Sequence, residues 1–509
     1  MSLRKSLQPL DRIAILLILL LILLIGGIVL KGDRTAPRVR DFTWQNRQVG
    51  AEDTAFILTF NRPMEQSSVE QNLRLDPPLP GKFSWAGRRM AYTLDMPAPY
   101  GRSFRLELQG ARDRFSQGED ARSQMQPFTG QFSTRDRAFV YVGVVGNEAG
   151  RLIFQDLTTQ QQRILTPENL VVMDFKAYPE GDRILFSAID RVRSESSLLD
   201  QQLYTVTTGI TIKTAASKPG GISIPVSEQR ITQPAGIVDL VLDNQTFQNL
   251  KFDLSPDGQS IIVQRVNKQD PTEFGIWLLK PDAPPTPIKT EPGGDFLITP
   301  DSTGLAMSQG QGMAILPIAE NAEALDFLPK FGVVLTFAKD GSAAAMVKFN
   351  TDPSNPTRSL FLVNNQGTDK ELLKTDGSIL SAQFDAAQKN LYCLITRRVP
   401  GDVYQEQPYL TAIHLATAEV IDLLRLPIQR DVQMSLSPDG LAILFDQVID
   451  AANNQADQSQ VGAMRGSEGK AIATSKLWLV PALQDEKGIP VAAEPQELGL
   501  TGLRPRWLP

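Results

Sequence analysis

Two stretches of this chain repeat one pattern, Phe252-Asp-Leu-Ser-Pro-Asp-Gly-Gln-Ser-Ile-Ile-Val263 and Met434-Ser-Leu-Ser-Pro-Asp-Gly-Leu-Ala-Ile-Leu-Phe445. In each stretch an apolar run leads into Ser-Pro-Asp-Gly, and a second apolar run follows. The Asp-Gly pair supplies the positive φ that a tight hairpin turn requires, and the flanking runs have the length and composition of strands. Each stretch therefore predicts a strand, a tight turn and a second strand.

Weaker copies of the pattern occur between Arg137 and Pro509. They are Phe175-Lys-Ala-Tyr-Pro-Glu-Gly-Asp-Arg-Ile-Leu-Phe186, Phe296-Leu-Ile-Thr-Pro-Asp-Ser-Thr-Gly-Leu-Ala-Met307, Leu335-Thr-Phe-Ala-Lys-Asp-Gly-Ser-Ala-Ala-Ala-Met346 and Ala382-Gln-Phe-Asp-Ala-Ala-Gln-Lys-Asn-Leu-Tyr392. Several copies in the array are followed by a third apolar run, as at Gly275–Leu279, Ser359–Val363 and Lys476–Val480. The spacing of roughly 40–50 residues is that of propeller blades. Two polar insertions, about 208–236 and 450–475, are expected to be loops.

The repeats resemble those of the TolB-like β-propeller family, which read S-P-D-G-x-x-I-x-F followed by I-W-x-x-D. The resemblance implies a propeller over residues 137–509. The final Leu503–Pro509 resembles an opening strand whose blade continues at Ala138–Val142 and Leu152–Asp156. Pairing of the two ends would remove exposed strand edges and give about seven blades, with six or eight left open.

A separate all-β segment is predicted over residues 38–136. Its short strands include Phe56–Phe60, Met90–Leu94 and Phe104–Leu108, which alternate with Pro- and Gly-rich turns as in a β-sandwich. The segment resembles the bacterial Ig-like domain of S-layer and surface proteins. The motifs that carry the resemblance are Phe60-Asn-Arg-Pro-Met64, Ser68-Val-Glu-Gln-Asn-Leu73, Tyr100-Gly-Arg-Ser-Phe104 and Phe132-Ser-Thr134, whereas Asp113-Arg-Phe-Ser-Gln-Gly118 departs from the family's D-x-x-G-N turn. The resemblance implies an extracytoplasmic spacer or adhesion module.

The stretch Ile13–Leu30 reads IAILLILLLILLIGGIVL and carries no charge. At about 1.5 Å per residue these 18 residues span about 27 Å, close to the ~30 Å hydrocarbon core of a bilayer. A cleaved signal peptide is the alternative, but no A-x-A site follows Leu30. We therefore expect an uncleaved signal anchor at residues 13–30.

Basic residues flank this apolar run on both sides. Arg4, Lys5 and Arg12 in the 1–12 tail favour a cytoplasmic N-terminus, while the bases in and after the 31–37 linker weaken that bias. The two family resemblances favour a location outside the cytoplasm for the residues that follow the apolar run. The expected location is the inner (plasma) membrane, with one pass and the bulk of the chain periplasmic or at the cell surface.

The charge differs between the two predicted domains. Residues 34–137 carry a net charge of +4, and residues 138–509 carry −12. One interpretation places the basic module near anionic lipid headgroups, and the other is ordinary solubility charge. An acidic propeller repels phosphate, so nucleic acid is not an expected partner.

We find no catalytic, cofactor-binding or metal-binding residues in the sequence. The single histidine, His414, and the single cysteine, Cys393, both lie in apolar strand-like runs, which favours structural roles. One histidine excludes multi-histidine metal sites, and neither a G-x-S-x-G elbow nor a P-loop is present. The Ser-Pro-Asp-Gly aspartates are read as turn residues rather than calcium ligands.

The expected fold is all-β apart from one N-terminal transmembrane helix, with an Ig-like β-sandwich and a β-propeller of about seven blades. The expected function is a membrane-anchored, non-enzymatic binding or scaffold protein of the cell envelope. Its expected partners are the lipid bilayer, through Ile13–Leu30, and an envelope protein or glycan. The alternative is a propeller-type polysaccharide hydrolase or lyase that uses carboxylates.

Overall fold

The computed structural model describes residues 9–31, 36–114, 124–192, 200–214, 229–318, 325–350, 352, 354, 356–429, 431–450 and 472–509. Most of the N-terminal tail, the linker at 32–35 and the greater part of both predicted insertions lie outside these residues. The chain forms two compact units. The first comprises residues 1–49, 53–95 and 103–133, and the second comprises residues 50–52, 96–102 and 134–509.

Helix α1 (Pro9–Lys31) contains the predicted membrane segment. From Ile13 to Ile25 every large apolar side chain is exposed, with between 45% and 74% of its surface accessible. Within the part of the chain that the structure describes, no helix is found that is long and apolar enough to cross a membrane.

The first unit also contains two four-stranded antiparallel sheets. The elements are β1 (Val39–Phe42), β2 (Gln48–Val49), β3 (Ala55–Phe60), α2 (Gln66–Asn72), β4 (Leu73–Asp76), β5 (Gly81–Ala86), β6 (Arg89–Leu94), β7 (Ser103–Leu108) and β8 (Phe128–Thr134). One sheet has the order β1-β3-β6-β5 and the other β2-β8-β7-β4. Aromatic rings from both sheets meet between them: the Phe42 ring lies 5.3 Å from Phe56 and 6.3 Å from Phe132.

Helix α2 differs from the expectation of a single helix in an otherwise all-β chain. It covers most of the Ser68–Leu73 motif. Only Val69 is buried, and the Asn72 side chain donates to the Ser68 carbonyl at 2.8 Å. With a single buried apolar residue, so short a helix has no periodicity in the sequence that would reveal it.

The second unit is built of strands. They are β9 (Ala138–Gly143), β10 (Leu152–Asp156), β11 (Gln161–Ile164), β12 (Leu170–Ala177), β13 (Arg183–Asp190), β14 (Gln202–Thr207), β15 (Thr211–Thr214), β16 (Gln229–Thr232), β17 (Val238–Leu242), β18 (Phe247–Leu254), β19 (Ile261–Asn267), β20 (Phe274–Leu279), β21 (Thr286–Ile288), β22 (Phe296–Ile298), β23 (Gly304–Gln309), β24 (Gly312–Pro317), β25 (Asp326–Leu328), β26 (Val333–Phe337), β27 (Ala343–Phe349), β28 (Arg358–Asn364), β29 (Asp369–Thr375), β30 (Ile379–Phe384), β31 (Asn390–Arg398), β32 (Glu406–His414), β33 (Glu419–Arg425), β34 (Met434–Leu436), β35 (Ala442–Asp450), β36 (Ile472–Pro481), β37 (Leu483–Gln484), β38 (Pro490–Val491) and β39 (Gln496–Trp507).

These strands form consecutive four-stranded meanders. Five sheets have the orders β12-β13-β14-β17, β18-β19-β20-β21, β22-β23-β24-β25, β26-β27-β28-β29 and β30-β31-β32-β33. The last strand, β39, serves two more sheets, because its first part pairs with β36 and its second part pairs with β9. Leu503 lies opposite Val142 and Trp507 opposite Phe139, so the predicted pairing of the two ends is present.

Seven apolar clusters separate these seven sheets, one between each consecutive pair. Strand β9 shows how: Val140 and Val142 pack toward the β12 sheet, while Phe139 and Tyr141 pack toward the β34 sheet. Alternate side chains of a strand point to opposite faces, so a blade buried on both faces reads as a continuous apolar run. A ring of seven such sheets, closed by its own last strand, is a seven-bladed β-propeller.

The six repeat copies each supply the innermost strand of a blade and the strand that follows it. The two insertions were expected to be loops, but strands are present at the ends of both. Strands β15 and β16 pair as a hairpin inside the first insertion, and β35 and β36 extend to Asp450 and from Ile472 at the borders of the second. The remaining residues, 215–228 and 451–471, lie outside the described part of the chain.

Candidate functional site

Turns that follow the innermost strands of neighbouring blades lie side by side: the Asp257 N–H donates to the Ser302 hydroxyl at 3.1 Å. In the Ser-Pro-Asp-Gly copy at 255–258 the Ser255 hydroxyl and the Gln259 N–H donate to the Asp257 carboxylate at 2.6 and 2.9 Å. Gly258 has a φ of +70°, which favours glycine. The aspartate thus holds its own turn, in agreement with the predicted turn role.

A pocket of about 560 Å³, which we call the mouth pocket, lies among these turns on four successive blades. Its lining residues are Lys176, Asp253, Leu254, Pro256, Asp257, Leu297, Ile298, Pro300, Asp301, Ser302, Phe337 and Lys339. Half of these residues are apolar, and five carry charge. The pocket is therefore an apolar recess with charged groups around it.

Asp253 fixes one wall of the mouth pocket. Its carboxylate, with a side chain only 5% exposed, accepts from the Lys176 ammonium at 2.7 Å and from the Ile298 N–H at 2.9 Å. These contacts join the innermost strands of three neighbouring blades, β12, β18 and β22. Because the carboxylate is fully engaged, its role is to position the wall.

Two further ion pairs join innermost strands. Arg506 on β39 contacts Asp174 on β12 at 3.2 Å, and Lys251 on β18 contacts Asp295, next to β22, at 2.6 Å. Together with the Lys176–Asp253 pair they form a chain of opposite charges across four blades. The Arg506–Asp174 and Lys251–Asp295 pairs are partly exposed and contribute little stability each, but they fix which blade edges meet.

The carboxyls of Asp257 and Asp301 stay ionised at neutral pH. Burial would raise the pKa of Asp257, but hydrogen bonds from Ser255 and Gln259 outweigh it and lower that pKa below its ordinary value. Hydrogen bonds from Thr299 and Thr303 likewise lower the pKa of Asp301. A general acid needs the opposite shift. These aspartates are therefore suited to holding turns and to attracting cations.

Lys339 lies in the lining of the mouth pocket. It is exposed, and it forms no ion pair with any other described residue. Lys176, in contrast, is held by Asp253. The Lys339 ammonium is therefore available to an acceptor group that enters the mouth pocket.

Asp446 is the one carboxyl among the described residues whose pKa is raised as far as the neutral range. Burial raises the pKa of this carboxyl, on β35, to about 7, although the N–H groups of Arg504 and Gln433 donate to it at 2.7 and 2.6 Å. The side chain is fully buried and lines no part of the mouth pocket. Its geometry is that of a clamp on the closing strand β39.

The single cysteine and the single histidine both lie in surroundings that favour a structural role. Cys393 is fully buried on β31, and burial raises the pKa of its thiol. His414 ends β32, and its Nδ1 lies 2.9 Å from Asn390 Oδ1. Across the described ranges, no group of three or more His, Cys, Asp or Glu side chains could hold a metal ion.

Sequence reasoning named no site residues and so missed Lys176, Asp253 and Lys339. A signal was present in the repeats, because the second position of the repeated pattern is Lys176 in one blade and Asp253 in the next. Adjacent blades place these two positions side by side. Aligning the copies by position would have predicted that pair, but not the pocket beside it.

No known protein family matches the chain, and no curated protein matches it. Solved structures similar to it include TolB from Acinetobacter baumannii, at 11% identity over 84% of this chain and 82% of that one, with a TM-score of 0.38. A putative 6-phosphogluconolactonase from Bacteroides fragilis is 10% identical over 74% and 98% of the two chains, with a TM-score of 0.42. The periplasmic gluconolactonase PpgL of Pseudomonas aeruginosa is 13% identical over 73% and 99%, with a TM-score of 0.40.

TolB-like and 6-phosphogluconolactonase-type β-propellers are thus both among the structural neighbours. With TM-scores this low, the propeller assignment rests on the strand pairing and on the closed ring of apolar clusters. The Ig-like resemblance of residues 38–136 stays a prediction.

Proposed function

We propose that this chain is a membrane-anchored binding or scaffold protein of the cell envelope, whose propeller holds a protein or glycan partner at the mouth pocket. The observation that carries the proposal is the pocket itself. Its volume of about 560 Å³ lies within the roughly 300–1,000 Å³ of ligand pockets in general. Apolar residues such as Phe337 and Leu297 offer a recess for one anchoring side chain or sugar face, and Lys339 offers a polar contact.

The alternative function, a polysaccharide hydrolase or lyase, needs two carboxyls that face a common pocket with pKa values pushed apart. Among the described lining residues, Asp257 and Asp301 both have a lowered pKa, and Asp253 is held by Lys176 and Ile298. These features favour binding over catalysis at this pocket.

The anchor in this proposal is Ile13–Leu30, in a single pass of the inner (plasma) membrane with the bulk of the chain outside the cytoplasm. The support is the 18-residue uncharged run and the exposure of its apolar side chains from Ile13 to Ile25. A helix that is apolar on every face is stable in lipid and unfavourable in water. The predicted segment at residues 38–136 would then act as an Ig-like spacer.

The binding proposal is tested by co-purification from detergent-solubilised membranes with two matched charge reversals. Lys339→Glu changes the pocket lining, and Lys348→Glu makes the same change at an exposed position of β27, in the same blade but outside the pocket. We expect a partner retained by the wild type and by Lys348→Glu and depleted at least several-fold by Lys339→Glu. Equal recovery with all three proteins, or turnover of envelope glycan by the purified chain, would contradict the proposal.

The anchor proposal has its own test. Alkaline carbonate should leave the chain in the membrane fraction, and protease added to intact spheroplasts should digest the propeller. Release by carbonate would refute the anchor, and full protection from protease would refute the orientation.

A further inference from the structure

One end of the first unit gathers exposed arginines from strands that are far apart in sequence. We call this the basic end and define it by Arg38, Arg40, Arg88, Arg89 and Arg112. All five side chains are exposed, and within the described part of the chain none of them forms an ion pair. The Arg88 guanidinium donates to the Asn61 carbonyl, but that contact leaves its positive charge unbalanced.

Hydrogen bonds of side chains and backbone around Asn61 bring the segments that carry these arginines together. Asn61 is the centre: its Nδ2 donates to the Ala36 carbonyl at 3.1 Å, and its Oδ1 accepts from the Arg38 N–H at 2.9 Å. The Arg88 guanidinium donates to the Asn61 carbonyl at 3.2 Å, and the Arg88 carbonyl accepts from Phe60 N–H at 2.9 Å. The start of β1, the loop after β3 and the β5–β6 hairpin tip therefore share one end.

The segment around Arg112 belongs to the same end. The Arg112 carbonyl accepts from the Glu65 N–H at 2.9 Å, and the Pro63 carbonyl accepts from the Arg114 N–H at 3.1 Å. The nearby acid Asp113 is buried and already paired with Arg62 at 2.9 Å. Asp41, Glu65 and Glu70 are exposed acids of this end, and the Trp85 indole N–H beside the hairpin tip donates to Glu70 at 2.9 Å; the five arginines outnumber these three acids.

The chain enters the unit at this end, which limits how far the basic end can lie from α1. Only residues 32–35 separate Lys31 from Ala36. Five fully extended residue steps reach at most about 18 Å. If Ile13–Leu30 spans a bilayer, the six residue steps after Leu30 keep Ala36, where the chain enters the basic end, within about 22 Å of the hydrocarbon edge. The headgroup layer occupies roughly 5–7 Å of that distance, and the Debye length adds about 10 Å at 0.1 M salt.

We propose that the basic end docks on the anionic headgroups of the membrane that α1 crosses. This inference rests on the proposed anchor and extends it, because the anchor alone leaves the first unit free to tumble. Exposed arginines near an anionic surface each strengthen binding by about fivefold, the factor that corresponds to ~1 kcal/mol. Docking would fix the height and tilt of the first unit above the bilayer.

The experiment uses the full chain reconstituted in vesicles of phosphatidylcholine, with or without phosphatidylglycerol. A fluorophore on Ala86→Cys, an exposed residue beside the hairpin tip, reports the approach of headgroup-quencher lipid. Native Cys393 is fully buried and does not compete for the label. We expect stronger quenching in the anionic vesicles, and a decrease of that excess as salt is added.

Two charge-matched variants identify the basic end as the cause. Arg88→Glu/Arg89→Glu should lower the docked-to-undocked ratio on anionic vesicles by at least tenfold. Lys82→Glu/Arg105→Glu changes the charge equally, but Lys82 lies at the far end of the same hairpin, opposite Thr93, and should leave the quenching unchanged.

Quenching that is equal in both vesicle types, in a chain that resists carbonate extraction, would overturn the docking proposal and leave the anchor standing. Equal loss in both variants would show general attraction of charge and would also overturn it. A chain that carbonate extracts from the vesicles would refute the anchor, and the docking proposal with it.

Discussion

Replacing Asp446 by asparagine should make the stability of the propeller less dependent on pH. The carboxylate is fully buried and accepts from the backbone N–H groups of Arg504 and Gln433. It thereby ties β39, the strand that closes the ring, to the blade of β35. Asparagine has the same shape and keeps one acceptor oxygen, but it carries no charge at any pH.

The size of the effect follows from the raised pKa. Burial raises the pKa of Asp446 from its ordinary 3.8 to about 7 in the folded chain. Each unit of difference is worth about 1.4 kcal/mol, so the ionised carboxylate destabilises the fold by up to about 4 kcal/mol. Below pH ~4 both folded and unfolded chains keep the proton, and there is no penalty. Between pH ~4 and ~7 only the folded chain keeps it, so the free energy of unfolding falls as pH rises.

The assay is urea unfolding of the purified chain at a series of pH values, followed by tryptophan fluorescence. Trp478 lies beside Phe445 in the same blade and reports on this region. Other titrating groups are common to both proteins and cancel in the difference. Near pH 4, where the charge penalty has almost vanished, Asp446→Asn should be less stable than the wild type by roughly 1–3 kcal/mol, because its amide NH2 cannot accept from one of the two N–H groups.

Above pH ~7 the variant should be more stable than the wild type, by roughly 1–3 kcal/mol. Asp446→Ala is the control for lost hydrogen bonds, since it leaves two buried N–H groups unpaired and should be less stable than Asp446→Asn throughout. If the difference in free energy of unfolding between the wild type and Asp446→Asn does not change with pH, the reasoning is refuted.

Further predictions concern the wall of the mouth pocket, the closure of the ring by β39, the thiol of Cys393 and the core of the first unit. Asp253→Ala leaves the Ile298 N–H unpaired, so the urea midpoint should fall by the equivalent of about 2–4 kcal/mol; an unchanged midpoint would contradict this. Removing residues 503–509 should speed hydrogen exchange across Ala138–Gly143 many-fold, and normal protection there would argue against closure by β39. Cys393 should resist thiol reagents in the native chain and react in urea, whereas rapid native labelling would disprove its burial. Phe56→Ala should cost the first unit about 3–5 kcal/mol and leave the propeller transition unmoved; a coupled shift of both would be the contrary result.

The propeller could be predicted from the sequence because its determinants are local. A Ser-Pro-Asp-Gly turn sets its own geometry. The hydrogen bonds that the Asp257 carboxylate accepts come from Ser255 and Gln259, each two positions away in the sequence. The apolar runs on either side record burial on both faces of a blade. Even the closure by Leu503–Pro509 was visible, since that segment is an unpaired copy of an opening strand.

The mouth pocket could not be predicted in the same way. Lys176 and Asp253 are 77 residues apart and meet only because successive blades stand side by side. The recess between them depends on the exact height of each turn, which the repeat pattern does not encode. The basic end is similar, because the approach of Arg38 to Arg88 depends on the hydrogen bonds of Asn61.

The unpredicted short elements have a common cause. Helix α2 and the β15–β16 hairpin are each held by few contacts and lie in polar sequence. Their apolar signal is one or two residues, as at Val69, which is too short to show a period.

The central claim, that the propeller holds a partner at the mouth pocket, is tested most directly by site-specific photocrosslinking in intact cells. A photoreactive residue placed at Lys339 should give one discrete crosslinked species, and the same residue at Lys348, in the same blade outside the pocket, should give none. Identical crosslinking from both positions, or none from Lys339, would contradict the account.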